Sequence, residues 1–142
     1  MPNWCTNKLV LLNDKEGDII TALKPFMVVG EDNRTYFSLD KLKPMPDGVD
    51  PHEWRNENWG TKWDLDKPEL TGDALHFQSA WTPPIEALKT LAASTGKTFR
   101  LYYSEMGVGF AGIATIYPNG EVEDDELTAD AVELIRELEL YC

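Results

Sequence analysis

The sequence predicts an α+β domain on the ferredoxin-like, split-βαβ plan, with an antiparallel sheet and its helices on one face. Three observations predict it. Two apolar stripes recur at helical spacing, Ile19, Ile20, Leu23, Phe26 and Met27, then Ile85, Leu88, Leu91 and Ala92. Short apolar or alternating runs flank them, at Lys8–Leu12, Ala74–Trp81, Thr98–Glu105 and Phe110–Tyr117. The order is strand, helix, insertion, two strands, helix, two strands, helix, which is βαββαβ with one extra strand and a C-terminal helix.

The first strand, Lys8 to Leu12, is compact and apolar and closes at Asn13-Asp14. Asn13 and Glu16 have capping-box spacing for the first helix. Pro25 has no amide donor, so it bends or ends that helix near its last turn. Gly30 to Arg34 is a polar turn, Tyr36 to Leu42 a brief extended piece, and Lys43 to Gly48 a loop stiffened by two prolines. Asp50 as cap and Pro51 in the first turn open a short helix carrying His52, Glu53 and Trp54. Residues 30–65 therefore read as an insertion over one end of the sheet, within a single domain spanning 1–142.

Beyond Pro68, Glu69-Leu70-Thr71 and Ala74–Trp81 read as two strands joined at Gly72-Asp73. Thr82-Pro83-Pro84 opens the second long helix and Gly96 ends it. In Thr98 to Glu105, Phe99, Leu101 and Tyr103 face one way and Arg100, Tyr102 and Ser104 the other. Phe110 to Tyr117 pairs with it as a hairpin. Gly107, Gly109 and Gly112 mark turns, a bulge or close packing. Residues 121–142 hold nine carboxylates and one arginine and read as an acidic tail and helix, capped by Thr128, with Ala131, Val132, Leu134, Ile135 and Leu138 as its apolar stripe.

The stretch from Trp54 to Asp66 stands apart. Three of the five tryptophans, Trp54, Trp59 and Trp63, lie there among charges and amides. Each indole carries a large apolar area and one donor that needs a partner. The cluster is either a clasp that ties the insertion to the core or an exposed binding surface, and most tryptophans are largely buried. The binding candidates are Trp54, Trp59, Lys62, Trp63 and Asp64, and on the acidic helix Glu133, Glu137 and Glu139.

The chain resembles the YubP-like proteins of plasmids, phages and bacterial genomes. The resemblance rests on Pro2-Asn3-Trp4-Cys5-Thr6-Asn7, Leu42-Lys43-Pro44-Met45-Pro46, and the run from Trp54 to Asp64. It continues in Ala80-Trp81-Thr82-Pro83-Pro84-Ile85 and Gly107-Val108-Gly109-Phe110-Ala111-Gly112. It implies a ferredoxin-like fold and a mobile-element setting, and it implies no catalytic residues.

Several common chemistries find no pattern here. Thr95-Gly96-Lys97-Thr98 imitates the end of a phosphate-binding loop, but the first required glycine would stand at Leu91 and the element order is reversed. His52, Glu53, Glu57, Asp64, Asp66 and His76 have no metal-site spacing, so neither metal nor cofactor is expected. Arg100, Tyr102 and Tyr103 lack the signature of RNA-binding strands. Cys5 and Cys142 belong to no CxxC and are expected as free thiols. No apolar run reaches membrane length, and the start lacks the regions of a secretory signal, so a cytoplasmic location is expected.

The formal net charge of -12 repels phosphate backbones and anionic lipid. Together with the mobile-element setting that the resemblance implies, this makes a host protein the expected partner, including nucleic-acid-binding ones, and neither nucleic acid itself nor a membrane. The leading functional expectation is a non-catalytic interaction protein that inhibits a host defence or nucleic-acid-binding protein. Glu133, Glu137 and Glu139 would then imitate a line of phosphates; a solvated face that keeps the protein soluble explains the same charges. The competing expectations are a small hydrolytic enzyme using His52, Trp59, Trp63 and Asp64, and a small-ligand or peptide-binding module at the same stretch.

Overall fold

A central strand with alternating burial organises the sheet. In β1 (Trp4–Leu11) Cys5, Asn7 and Leu9 are fully buried, whereas Thr6, Lys8 and Val10 are half-exposed on the opposite face. The structure, a computed structural model, describes residues 4–12, 18–31, 33–61, 64–70, 74–80, 82–105 and 110–126. After β1 come α1 (Asp18–Leu23), a 3-10 turn (Lys24–Phe26), β2 (Met27–Val29), β3 (Thr35–Phe37), α2 (Leu39–Leu42) and α3 (Pro51–Asn58). Then follow β4 (Asp66–Leu70), β5 (Leu75–Ala80), α4 (Ile85–Thr95), β6 (Phe99–Glu105), β7 (Phe110–Ile116) and β8 (Val122–Glu126).

The main sheet has six antiparallel strands in the order β4-β5-β1-β6-β7-β8. The first four are the second, third, first and fourth strands of a split βαβ plan, with α1 and α4 in its two crossovers. The fold is ferredoxin-like, extended at one edge by β7 and β8. Leu9 stands opposite both Leu75 and Leu101, and Leu101 opposite Ala114, so an apolar row crosses four strands on one face. That face packs on Ile19 and Leu23 of α1 and on Leu88, Leu91 and Ala92 of α4. Gly96 closes α4 in the left-handed conformation at φ 68°, donating its N–H to the Ala92 carbonyl.

Four local readings of the sequence need correction. The apolar stripe through Met27 is not one helix. Pro25 breaks it into the 3-10 turn, and Met27 starts β2, which pairs with β3 as a separate two-stranded sheet. Tyr36 to Leu42 is not extended throughout, because Ser38 caps α2 by accepting from the Lys41 N–H. β4 begins at Asp66 and contains Pro68. The register shifts between Asp66 and Glu69, which a sheet edge tolerates. Finally, among the described residues the main sheet has two extra strands and not one. The acidic segment begins as β8, paired along β7 from Gly112 opposite Glu126 to Ile116 opposite Val122. Only Val122 is apolar there, so the strand is held by backbone pairing along β7 and by the Tyr103 hydroxyl, which donates to Asp124, while Glu123, Asp124 and Asp125 are exposed.

Candidate functional site

The insertion reaches the core through α3 and the residues that follow it. Asp50 Oδ1 accepts from the His52 and Glu53 N–H groups and Pro51 occupies the first turn, so the local sequence defines where the helix starts. At its C-terminal end Trp59 is 2% exposed, and its Nε1 donates to the Lys43 carbonyl at 2.9 Å. The buried indole is thus satisfied by the proline loop it packs beneath. Trp54 meets Trp59 edge to face, with centroids 5.6 Å apart and planes at 81°. The Arg55 guanidinium lies 5.7 Å from the Trp59 ring centre.

Gly60 and Thr61 then lock this segment to the sheet. Gly60 has φ 80°, and a Cβ there would stand 3.2 Å from the backbone nitrogens of Ile85 and Glu86. Only glycine combines that backbone with so close an approach to the start of α4. The Trp59 carbonyl accepts from the Ala87 N–H, the Gly60 carbonyl from the Thr82 hydroxyl, and the Ala80 carbonyl from the buried Thr61 hydroxyl. Trp59 is therefore a clasp between insertion, helix and sheet, as its type and setting led one to expect.

Asp64 has a different task from the one its composition suggested. Its Oδ1 accepts from the Leu39 and Leu65 N–H groups, both at 2.8 Å. Its Oδ2 accepts from the Ser38 hydroxyl at 2.8 Å and the Asp40 N–H at 3.2 Å. Both oxygens are occupied in capping α2 from across the insertion. Asp64 also borders a cleft of about 390 Å³ with Val28, Tyr36, Phe37, Ser38, Leu65 and Pro68.

The remaining candidates divide simply. His52 is exposed on the first turn of α3. Lys62, Trp63, Glu133, Glu137 and Glu139 lie outside the described residues, as does Cys142. Among the described residues no group of three or more His, Cys, Asp or Glu side chains is placed to hold a metal ion. No described helix is long and apolar enough to cross a membrane.

Two features were missed in the sequence. One is a groove of about 240 Å³ lined by Val49, Asp50, Glu53, Trp54 and Glu57. Its signal was the spacing of positions 50, 53, 54 and 57, which share one side of a helix. The other is a buried polar cluster inside the core. Asn7 Nδ2 donates to the Cys5 carbonyl and to Ser79 Oγ, each at 2.9 Å, and Ser79 Oγ donates to the Thr82 carbonyl. This cluster ties the opening Trp4-Cys5-Thr6-Asn7 run to the end of β5, where Thr61 also docks.

At the far edge of the sheet, β8 exposes Glu123, Asp124 and Asp125 beside Glu121. Loss of hydration, then the hydrogen bond and negative charge of Glu123, hold the Tyr117 phenol above its ordinary pKa, with Arg100 opposing.

A central split-βαβ sheet carrying an α-helical, tryptophan-clasped insertion defines a ferredoxin-like domain protein. The family described as "Ferredoxin-like domain in Api92-like protein" matches residues 58–140, more than half of the chain, and the chain belongs to that family. That description names a fold and no activity. Among solved structures, a protein api92 from Yersinia pseudotuberculosis is similar in fold, with a TM-score of 0.51 at 20% sequence identity. The likeness covers 64% of this chain and 39% of that one, so the chain corresponds to well under half of that protein's length. No curated protein matches the chain.

Proposed function

We propose that the chain is a non-catalytic protein-interaction domain of mobile-element type, which inhibits a host defence or other nucleic-acid-handling protein in the cytoplasm by occupying its basic surface. The observation that carries this reading is charge and its placement. The net charge is -12, and β8 presents exposed carboxylates along the open edge of the sheet, leading into the acidic C-terminal segment. An acidic surface steers association with a basic groove and disfavours nucleic acid itself. Membership of the Api92-like family is compatible with such a module.

The roles of Trp59 and Asp64 weigh against the hydrolytic reading at the Trp54–Asp66 stretch. Trp59 is sealed in the core, and the Asp64 carboxylate already accepts four hydrogen bonds. Trp59 is thus closed to a substrate, and the Asp64 oxygens are engaged in capping α2. Trp54 keeps the peptide-binding reading in play, because it is half-exposed in a groove.

The test replaces Glu133, Glu137 and Glu139 with glutamine and compares capture of basic, nucleic-acid-binding host proteins at rising salt. Under this proposal, capture by the native chain falls as salt rises, and the triple variant binds more weakly with a flatter salt dependence. Identical capture and identical salt slope would remove the acidic segment from the mechanism.

A further inference from the structure

We propose that the α3 groove is a docking site for an arginine or lysine side chain on a basic segment of a protein partner. It deepens the function proposed above and rests on its choice of a basic partner, but it concerns a separate part of the surface. The groove is lined by Trp54 and the exposed Val49 together with Asp50, Glu53 and Glu57. Helical spacing makes this arrangement, since residues 50, 53, 54 and 57 fall on one stripe of α3 and its cap.

Three properties fit a cation. The Trp54 ring is held edge to face against the buried Trp59, so its orientation is fixed before a ligand arrives. Indole is the best aromatic acceptor of an ammonium or guanidinium over its face. Among the described residues, no lysine or arginine pairs with Asp50, Glu53 or Glu57. A lining of three carboxylates and two apolar side chains complements a side chain that is an apolar stem ending in a charge. At about 240 Å³ the groove suits one such side chain and not a folded domain.

The experiment titrates the isotope-labelled full chain with hexa-arginine peptide, with hexa-glutamate as control, and follows binding at the Trp54 indole N–H. Saturable movement of that signal is expected with hexa-arginine and none with hexa-glutamate. The Glu53→Gln/Glu57→Gln variant changes only exposed side chains and is expected to weaken binding at Trp54 by roughly tenfold. Trp54→Leu, which keeps an apolar filler against Trp59, is expected to weaken binding followed at the Glu57 amide to a similar degree. If Trp54→Leu does not fold, the glutamine variant decides. Movement confined to β8 or the C-terminal segment, or unchanged midpoints in the glutamine variant, overturns the proposal. The two readings separate cleanly. Weakened partner capture in the Glu133, Glu137 and Glu139 variant with a silent Trp54 keeps the function and removes the groove. A responsive Trp54 with no basic partner captured does the reverse.

Discussion

Tyr103 lies across Gly112 on the neighbouring strand and donates its hydroxyl to Asp124 on the strand beyond. One side chain from β6 thereby spans β7 and ties the edge strand β8 to the body of the sheet. A Cβ at position 112 would collide with the hydroxyl and Cζ of Tyr103. Gly112→Ala is therefore expected to destabilise by about 1–3 kcal/mol, the usual cost of overpacking. In a Tyr103→Ala background the same substitution should cost almost nothing, because the collision is gone. Denaturant melts of the four proteins in the cycle measure this coupling. Additive costs would show that Tyr103 does not occupy the space over Gly112.

Trp59 gives a second stability prediction. It is buried, hydrogen-bonded through its indole to Lys43, and joined through its carbonyl to Ala87 of α4. Trp59→Ala is expected to cost about 3–5 kcal/mol, from lost burial and the cavity left behind. Trp54→Ala should cost clearly less, since Trp54 is only half-buried. Thermal melts of both variants rank the two, and equal costs would contradict the clasp.

Much of this was legible in the sequence because the signals were local. Pro84 and Gly96 bracket α4, Asp50-Pro51 opens α3, and alternation in Phe99–Tyr103 matches the buried face of β6. β8 was not legible, because Glu123, Asp124 and Asp125 carry no strand pattern and the strand depends on the open edge of β7. The capping role of Asp64 was not legible for a similar reason. Its partners Ser38, Leu39 and Asp40 stand some 25 residues earlier, and no local spacing reports a cap that closes across an insertion. The groove beside Trp54 was half legible. The helix was expected, but whether its indole faced the core or a neighbour depends on tertiary packing.

The edge of the sheet supports a prediction about pH. Burial and the Glu123 carboxylate favour the neutral phenol of Tyr117, so its pKa lies above the ordinary 10.0. A group whose folded pKa is raised adds stability that is fully present below the unfolded value and is lost as pH rises through the folded one. The loss should therefore occur in alkaline solution above pH 10.0, with no effect near neutrality. Glu123→Gln removes the negative charge and should move the phenolate transition of Tyr117 back toward the ordinary value. An ultraviolet phenolate titration, with Tyr117→Phe to assign the transition, reads this directly. A transition unmoved by Glu123→Gln would detach Tyr117 from that carboxylate.

The last prediction concerns β1, which lies outside the matched segment at 58–140 yet sits at the centre of the sheet. β1 pairs with β5 from Trp4 opposite Ala80 to Leu9 opposite Leu75, and with β6 from Thr6 opposite Ser104 to Leu11 opposite Phe99. Removing it leaves β5 and β6 with no common partner, so the sheet divides into β4-β5 and β6-β7-β8. The same removal strips the core of Cys5 and Leu9, both fully buried, and leaves Ser79 without the Asn7 amide. Ile19, Leu23, Phe37, Leu39 and Leu42 also lie before residue 58 and belong to the same core. A two-stranded ribbon is marginal alone, and a three-stranded one needs a covered apolar face. The fragment 58–142 is thus expected to lack a cooperative thermal transition and dispersed amide signals, whereas the full chain shows both. Leu9→Asp in the full chain should have nearly the same effect, by placing a charge where Leu75 and Leu101 meet. A cooperatively melting fragment would mean that β5 and β6 can pair directly, which would make β1 an addition to the ferredoxin-like sheet instead of its middle.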